Sequence, residues 1–464
     1  MLAGIDVGTT GCKCTVYHES GTAVREAYEE YSSRADTEGR ELNPLQVWAC
    51  VRKVMHRTAR PGECWDAVGV SSFGEAVALL DENDMPVMNT LLYTDSRGKE
   101  ECRRLEEKAG RDYIERVTGL NPHEQYSVPK LMWIQEHEPG LYEKARHIFL
   151  YGDYIVYMLT GEKRIDHSLA SRTMAFDVEK KQWDGKIFQA AGIDPEKMSV
   201  PVETGTAAGR MKKALMDELG IRGKGIVAVG CHDQIAAACG AGVFSDGTAV
   251  NGSGTVECIT PVFSGEKDRA AMMEGNYCRV PYLIPGTYVT YAYTLTGGAL
   301  LKWYRDHLAA QEADRARACG QSPYEVFNRK LSQSPTGLLI LPHFAGAATP
   351  YTDSESKGAI LGLTLETEKE TIYQALMEAV GFEMKLNMER LSRAGIRADR
   401  LYACGGGARS EGWLQIKTDI LGIPICSLGD VQAGIMGCVM MAGVAGGIYR
   451  DLPEAAACCV KEGK

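Results

Sequence analysis

Four short stretches of this chain carry the residue types that handle phosphate. The first is Asp6-Val7-Gly8-Thr9-Thr10-Gly11, with Lys13 just beyond. Glycines in a tight turn let backbone N–H groups approach a phosphate closely, and threonine hydroxyls add donors. Asp6 stands where a carboxylate could hold a hydrated Mg²⁺ ion. The same residues also make an ordinary hairpin turn with a carboxylate at a strand end. The Gly-Lys-Ser/Thr ending of a Walker A loop is absent. The second stretch, Asn251-Gly252-Ser253-Gly254-Thr255, has the same character. Either alone is weak; as a matched pair they could clamp one triphosphate. The third is Gly230-Cys231-His232-Asp233-Gln234. Asp233 could cap the helix that follows. It could also act as a general base, because a helix N-terminus favours the ionised carboxylate and an ionised aspartate can take a hydroxyl proton. His232 reads as a packed neighbour. The fourth is Cys404-Gly405-Gly406-Gly407-Ala408-Arg409-Ser410. Consecutive glycines before a helix N-terminus admit a flat ligand such as adenine, or simply form a strand-to-helix loop.

The elements that must position these residues are legible in outline. Short apolar runs bounded by glycine and hydroxyl residues predict strands at Leu2–Val7, Cys12–Tyr17 and Arg25–Tyr31. Helical spacing predicts a helix over Pro44–Thr58 with Leu45, Trp48, Val51 and Met55 along one face. Further strands are expected at Asp66–Ser71, Ala76–Leu80 and Gly225–Gly230, and a helix at Ile235–Ala241. The opening pattern then recurs as a strand at Gly247–Val250, a glycine turn, and a strand at Val256–Val262, roughly 240 residues further on. Two related domains, 1–242 and 243–464, follow from that repeat.

Composition bounds the function. The chain has 464 residues, 45% apolar and 24% charged, which suits two or three globular domains. A formal net charge of −10 argues against nucleic acid or an anionic membrane as partner. Met1 runs directly into the first strand with no basic or long apolar leader, and the 15 scattered cysteines include no Cys-x-x-Cys pair. Reduced thiols in the cytoplasm are the expectation. Residues Ala433 to Tyr449 carry no charge, but the run falls short of the roughly 18–20 residues of a spanning helix. Its five glycines predict a buried, closely packed helix instead.

In this order the four motifs resemble the FGGY carbohydrate kinases, relatives of actin, hexokinase and the chaperone ATPases. Ser127–Ile134 followed by Glu136-His137 is similar to that family's first signature, and Gly358–Leu363 running to Gln374–Glu378 to its second. Gly152-Asp153-Tyr154, Asp166, Ala170-Ser171-Arg172-Thr173 and Gly297-Gly298-Ala299 before Trp303 also fit. The resemblance implies an α/β fold of two actin-like (ribonuclease H-like) domains with a nucleotide and substrate cleft between them, and ATP with Mg²⁺ as cofactors. It implies that Asp6 holds the metal and that Asp233 is the base. Gly8, Thr9, Thr10, Lys13, Gly252, Ser253, Gly254 and Thr255 would hold phosphates. Gly297, Gly298, Gly406, Gly407, Ala408 and Ser410 would lie against the nucleotide, although Ser410 replaces the asparagine usual there.

Acceptor contacts are expected at Phe73, Gly74, Glu75 and Gln125, with Asp233. Glycerol kinases carry Gln-Arg-Glu where this chain has Phe73-Gly74-Glu75, and xylulokinases carry Gln-Met-His. Gly74 offers no donor, so the expectation is vacant volume filled by a ketopentose or ketohexose, with a small polyol such as glycerol or erythritol second. Tyr93 replaces the tryptophan of the family's Trp-x-Asp-x-Arg pattern, which Asp95 and Arg97 complete. The expected partner is a small sugar or polyol, with neither nucleic acid nor membrane, and a homodimer is left open. Two other classes compete: an actin- or chaperone-like nucleotide switch, and a sugar-binding regulator without catalysis.

Overall fold

The computed structural model describes residues 1–35, 39–428 and 432–461. It divides into two compact units. Unit 1 comprises Met1–Phe244, Arg279–Tyr288 and Ala433–Val460, and unit 2 comprises Ser245–Cys278 and Val289–Gln432.

The sheet of unit 1 runs in the order Ala207–Arg210, Ile226–Ala228, Ala67–Ser72, Leu2–Val7, Gly11–Tyr17, Ala23–Glu30. Leu2–Val7 pairs antiparallel with Gly11–Tyr17 and parallel with Ala67–Ser72, which pairs parallel with Ile226–Ala228. Cys231–His232 pairs with the end of Ala67–Ser72, at Ser71 and Ser72. The helices Pro44–Thr58 and Ala433–Ala445 pack on this sheet. Leu2, Ala3, Ile5 and Val7 are therefore all buried, and the strand lacks the polar alternation of a one-sided sheet.

The central strands of unit 2 repeat that order. Ala292–Thr294, Glu257–Ser264, Gly247–Ser253, Ala398–Cys404 and Ile425–Ser427 are neighbours in turn. The first two pairings are antiparallel and the last two parallel, as at the corresponding places in unit 1. The strand–turn–strand repeat seen in the sequence is thus a duplicated sheet.

Two expectations shift. Asn43 caps the helix Pro44–Thr58, its side chain accepting from Leu45 N at 2.9 Å, with Pro44 in the first turn. The buried stripe is Val47, Val51, Val54, Met55 and Thr58, while Leu45 is 40% exposed and Trp48 half-buried. The face is rotated because the core-facing spacing runs 47-51-54-58. The second shift concerns Ala433–Ala445, which lies beyond residue 242 but packs within unit 1. It rests on Leu2–Val7, Ala67–Ser72 and the helix Asp233–Gly240. Its glycines permit this, since a Cβ at Gly437 would lie 2.0 Å from Ala236 O and one at Gly240 1.9 Å from Ala433 O. Among the described residues no helix is long and apolar enough to cross a membrane.

Candidate active site

In unit 1 the two carboxylates stand near the ends of strands that flank Ala67–Ser72, each parallel to it. Asp6 lies opposite Lys13 in the hairpin and Ser71 in the next strand, and accepts from Ser71 Oγ at 2.7 Å. Burial raises its pKa from 3.8 to about 6, against the Ser71 hydrogen bond; the charge of Asp233 raises it further and Lys13 lowers it. Asp233 opens the helix Asp233–Gly240, directly after the short strand Cys231–His232. Its pKa is likewise raised to about 6, first by burial, against hydrogen bonds from Gln234 and the charge of Arg172. Its side chain is 43% exposed, so water reaches it, but the surrounding protein still displaces much of its hydration. Asp233 Oδ1 has no hydrogen-bond partner. His232 lies 3.4 Å from that oxygen, but burial lowers its own pKa to about 3, so the ring is neutral and the contact is not an ion pair.

The turn before Asp233 is held from behind. His232 N donates to Ser168 Oγ at 3.0 Å, and Ser168 and Thr204 each donate to Asp166 Oδ2 at 2.6 Å. In the first glycine turn Gly8 N is spent on Gly11 O at 2.9 Å. Gly8 therefore closes the turn rather than donating to a phosphate, and half-buried Thr9 and exposed Thr10 form its tip.

The acceptor candidates separate. Glu75 is buried, takes φ +65°, and accepts from Arg172 Nε at 2.6 Å. Its carbonyl accepts from Ser127 Oγ at 2.5 Å, which brings Gln125 and Tyr126 alongside in the chain. Half-buried Gln125 donates its backbone N–H to His123 Nδ1 at 3.1 Å. Phe73 is not a substrate wall: it is 4% exposed in the core, with its ring 4.7 Å from that of Tyr151. Gly74 leaves no vacant volume either. A Cβ there would lie 2.9 Å from Arg172 Cγ and 3.1 Å from His232 Cδ2. Asp95 and Arg97 pair with each other at 2.7 Å, and Asp95 also accepts from Arg40 N.

Unit 2 holds a pocket of about 860 Å³ lined by Ser253, Gly254, Thr255, Gly298, Gly406, Gly407 and Ser410, with the aromatic side chains Trp303, Tyr324, Tyr373 and Trp413. That volume is within the range of small-molecule sites. Several expected donors are spent inside it. Gly254 N bonds Val256 O at 3.0 Å, Gly297 N bonds Thr255 O at 2.9 Å, and Gly298 N bonds Gly254 O at 2.8 Å. These glycines lock the second turn onto the start of the helix Gly298–His307. Gly252 lies within the strand Gly247–Ser253, opposite Cys258. Ala408 packs instead into a small core with Ala403 and Leu414. Ser410 caps the helix Glu411–Leu421 and accepts from Asn328 Nδ2 at 3.0 Å, so a carboxamide stands at the pocket wall although its position in the motif is serine.

Beneath the second turn lies a network that the sequence did not reveal. Lys417 is 0% exposed and Glu257 1% exposed, and they form an ion pair. Asn251 Nδ2 donates to Glu257 Oε1 at 2.7 Å, Ser253 Oγ to Glu257 Oε2 at 2.8 Å, and Lys417 Nζ to Ser253 Oγ at 3.0 Å. The Ser253 hydroxyl is therefore turned inward, away from any phosphate role. No local signal marks Lys417; only the oddity of a lysine on an otherwise apolar helix face could have.

A duplicated α/β sheet with a glycine turn opening each copy, carboxylates near the strand ends of unit 1 and a small-molecule pocket in unit 2 fit a two-domain phosphotransferase. The chain belongs to the FGGY family of carbohydrate kinases, whose N-terminal domain model matches residues 1–240 and whose C-terminal domain model matches residues 253–446. It is accordingly a carbohydrate kinase with an alcohol group as acceptor. It is 26% identical over 466 residues to a xylulose kinase of Bacillus subtilis, covering 99% of this chain and 91% of that protein. It is 25% identical over 468 residues to an autoinducer-2 kinase of Salmonella choleraesuis, covering 98% and 87%. Its fold matches a ligand-bound xylulose kinase from Lactobacillus acidophilus with a TM-score of 0.87 at 20% identity, covering 100% of this chain and 92% of that one.

Proposed function

We propose that the chain moves the terminal phosphoryl group of ATP to a hydroxyl of a neutral ketose, with Asp233 as the general base. The observation that carries this is Asp233 itself: it opens a helix, its side chain is 43% exposed and so open to an acceptor, and its pKa of about 6 leaves it mostly ionised at neutral pH yet basic enough to accept a proton. The acceptor's hydroxyl proton passes to Asp233 as the oxygen attacks the γ-phosphorus, and the bond to the β-bridging oxygen breaks to release ADP. The threonines of the first turn and Thr255 of the second are assigned to the phosphates, and the pocket of unit 2 to the nucleoside. Domain roles follow: acceptor and base in residues 1–242, adenosine in 243–464.

Asp6 fits a divalent cation. It is a half-buried carboxylate with one side-chain hydrogen bond, and the Asp233 charge that raises its pKa is one a cation would offset. Asp6 would hold Mg²⁺, which when bound neutralises phosphate charge.

A ketopentose or ketohexose is favoured by the curated relatives named as xylulose kinases. A neutral acceptor is favoured by charge, because Glu75 and Arg172 cancel while Asp6 and Asp233 remain negative. A coupled ADP-release screen over ketoses, polyols and one aldonate tests this, with Asp233→Asn as control. ATP hydrolysis independent of every acceptor would instead support a nucleotide switch.

A further inference from the structure

We propose that Arg172 orients the acceptor, delivering from a distant segment the cation that a side chain at position 74 would otherwise place there. The proposal rests on the kinase reading above and names how that site holds its sugar.

Arg172 follows the short helix His167–Ser171, almost a hundred residues beyond Gly74. Its Nε donates to Glu75 Oε1 at 2.6 Å and its Nη2 lies 2.5 Å from the same oxygen. Both contacts fall on Oε1. The Tyr126 ring lies 5.1 Å from the guanidinium carbon, so one edge and one face of the group are fixed. The stem of Arg172 fills the space a Cβ at Gly74 would need, with Cγ at 2.9 Å and Cβ at 3.2 Å. Glycine at 74 and arginine at 172 are thus one steric arrangement.

A plain structural pairing explains this less well. A buried ion pair is a poor source of stability compared with apolar packing. Glu75 also holds a left-handed backbone conformation that non-glycine residues seldom adopt, and such strain concentrates at ligand clamps. A Cβ at Gly74 would meet both Arg172 Cγ and His232 Cδ2, so Arg172 stands close to the residue that precedes the base. A planar guanidinium paired with a carboxylate carries no net charge but offers donors and acceptors in a fixed plane, which suits the carbonyl and vicinal hydroxyls of a neutral sugar.

The test is a double-mutant cycle on the full chain, read by acceptor binding in calorimetry as well as by turnover. Arg172→Ala is expected to weaken acceptor binding about 10- to 100-fold, the usual effect of losing a charged hydrogen bond, while the ATP constant moves less than about threefold. Gly74→Ala should weaken acceptor binding by displacing Arg172, and should cost little more once Arg172 is already alanine. If Arg172→Ala fails to fold, Gly74→Ala and Arg172→Lys carry the test, with Lys restoring only part of the binding. Arg172→Ala should also move the acid limb of the rate profile upward, since a cation near the base is gone. Acceptor binding within twofold of wild type in Arg172→Ala overturns the proposal. So does an equal cost of Gly74→Ala in both backgrounds, or a wild-type chain that binds no sugar. Sugar binding that depends on Arg172 without any phosphoryl transfer would instead sink the kinase reading and leave this one standing.

Discussion

Lowering the pH should switch this enzyme off well above the range where ordinary carboxylates titrate. Asp6 and Asp233 each titrate near 6, raised from 3.8 chiefly by burial. The base form of Asp233 is lost as pH falls through that value: ~90% is ionised at pH 7 and ~10% at pH 5. If Asp6 must also be ionised, the logarithm of the rate should fall with a slope approaching ~2 below pH 6 when Mg²⁺ is scarce. Saturating Mg²⁺ should hold Asp6 ionised and reduce that slope to ~1. The assay is discontinuous ADP detection from pH 4.5 to 8.5 at saturating ATP, at two Mg²⁺ concentrations. Titration of the nucleotide itself is separated by Arg172→Ala, which should shift a limb belonging to Asp233 and leave one belonging to ATP in place. A rate that stays level down to pH 5 would refute the assignment of Asp233 as the base.

Three further outcomes are expected. Asp233→Asn should abolish turnover yet raise the melting temperature at pH 7. The folded carboxyl binds its proton more tightly than the unfolded one, so its stabilising contribution is present below about pH 4 and lost as pH rises through 6; the gain in the variant should vanish in acid, and an unchanged melting temperature at pH 7 would count against the raised pKa. Lys417→Met leaves Glu257 buried without its cation and should cost about 3–5 kcal/mol, with much of that recovered in Lys417→Met/Glu257→Leu; denaturant midpoints of the two variants decide it. Gly254→Val should weaken ATP-analogue binding in calorimetry with little loss of stability, because the nearest atom to its Cβ is Val256 O at 3.9 Å and the new side chain meets ligand rather than protein.

What the sequence made legible was local. Both glycine turns, the hairpins around them and the helix Pro44–Thr58 depend on neighbours within a few residues, and each is present. That Asp233 opens a helix was legible because a helix start after a buried strand is also a local pattern. The network under the second turn was not, because Glu257 and Lys417 are 160 residues apart and nothing near Lys417 hints at a partner. The placement of Ala433–Ala445 in unit 1 was hidden for the same reason: its glycines announced close packing but not against which helix. Phe73 was misassigned because chain adjacency to Glu75 says nothing about direction, and its side chain turns into the core beside Tyr151.

Glycines at a site invite two inferences, and the structure separates them. One is that a glycine bares its N–H for a ligand; at Gly8, Gly254, Gly297 and Gly298 that N–H is already bonded within the protein. At Gly8, Gly297 and Gly298 the missing side chain serves close backbone approach, whereas at Gly254 it leaves the turn open, and the donors proposed for the phosphates are the threonines beside these glycines. The other inference is that a glycine leaves a hole; at Gly74 the hole is filled by Arg172 from another segment. A close-packed interior leaves few voids, so a residue lost from one position is apt to be replaced in space rather than in sequence. Acceptor preference in such a site therefore cannot be read from position 74 alone. It must be read from the pair 74 and 172, which is why relocating the guanidinium, as Gly74→Arg together with Arg172→Gly, should preserve acceptor binding far better than either change alone; a double variant as impaired as the worse single one would show that the two positions are not equivalent.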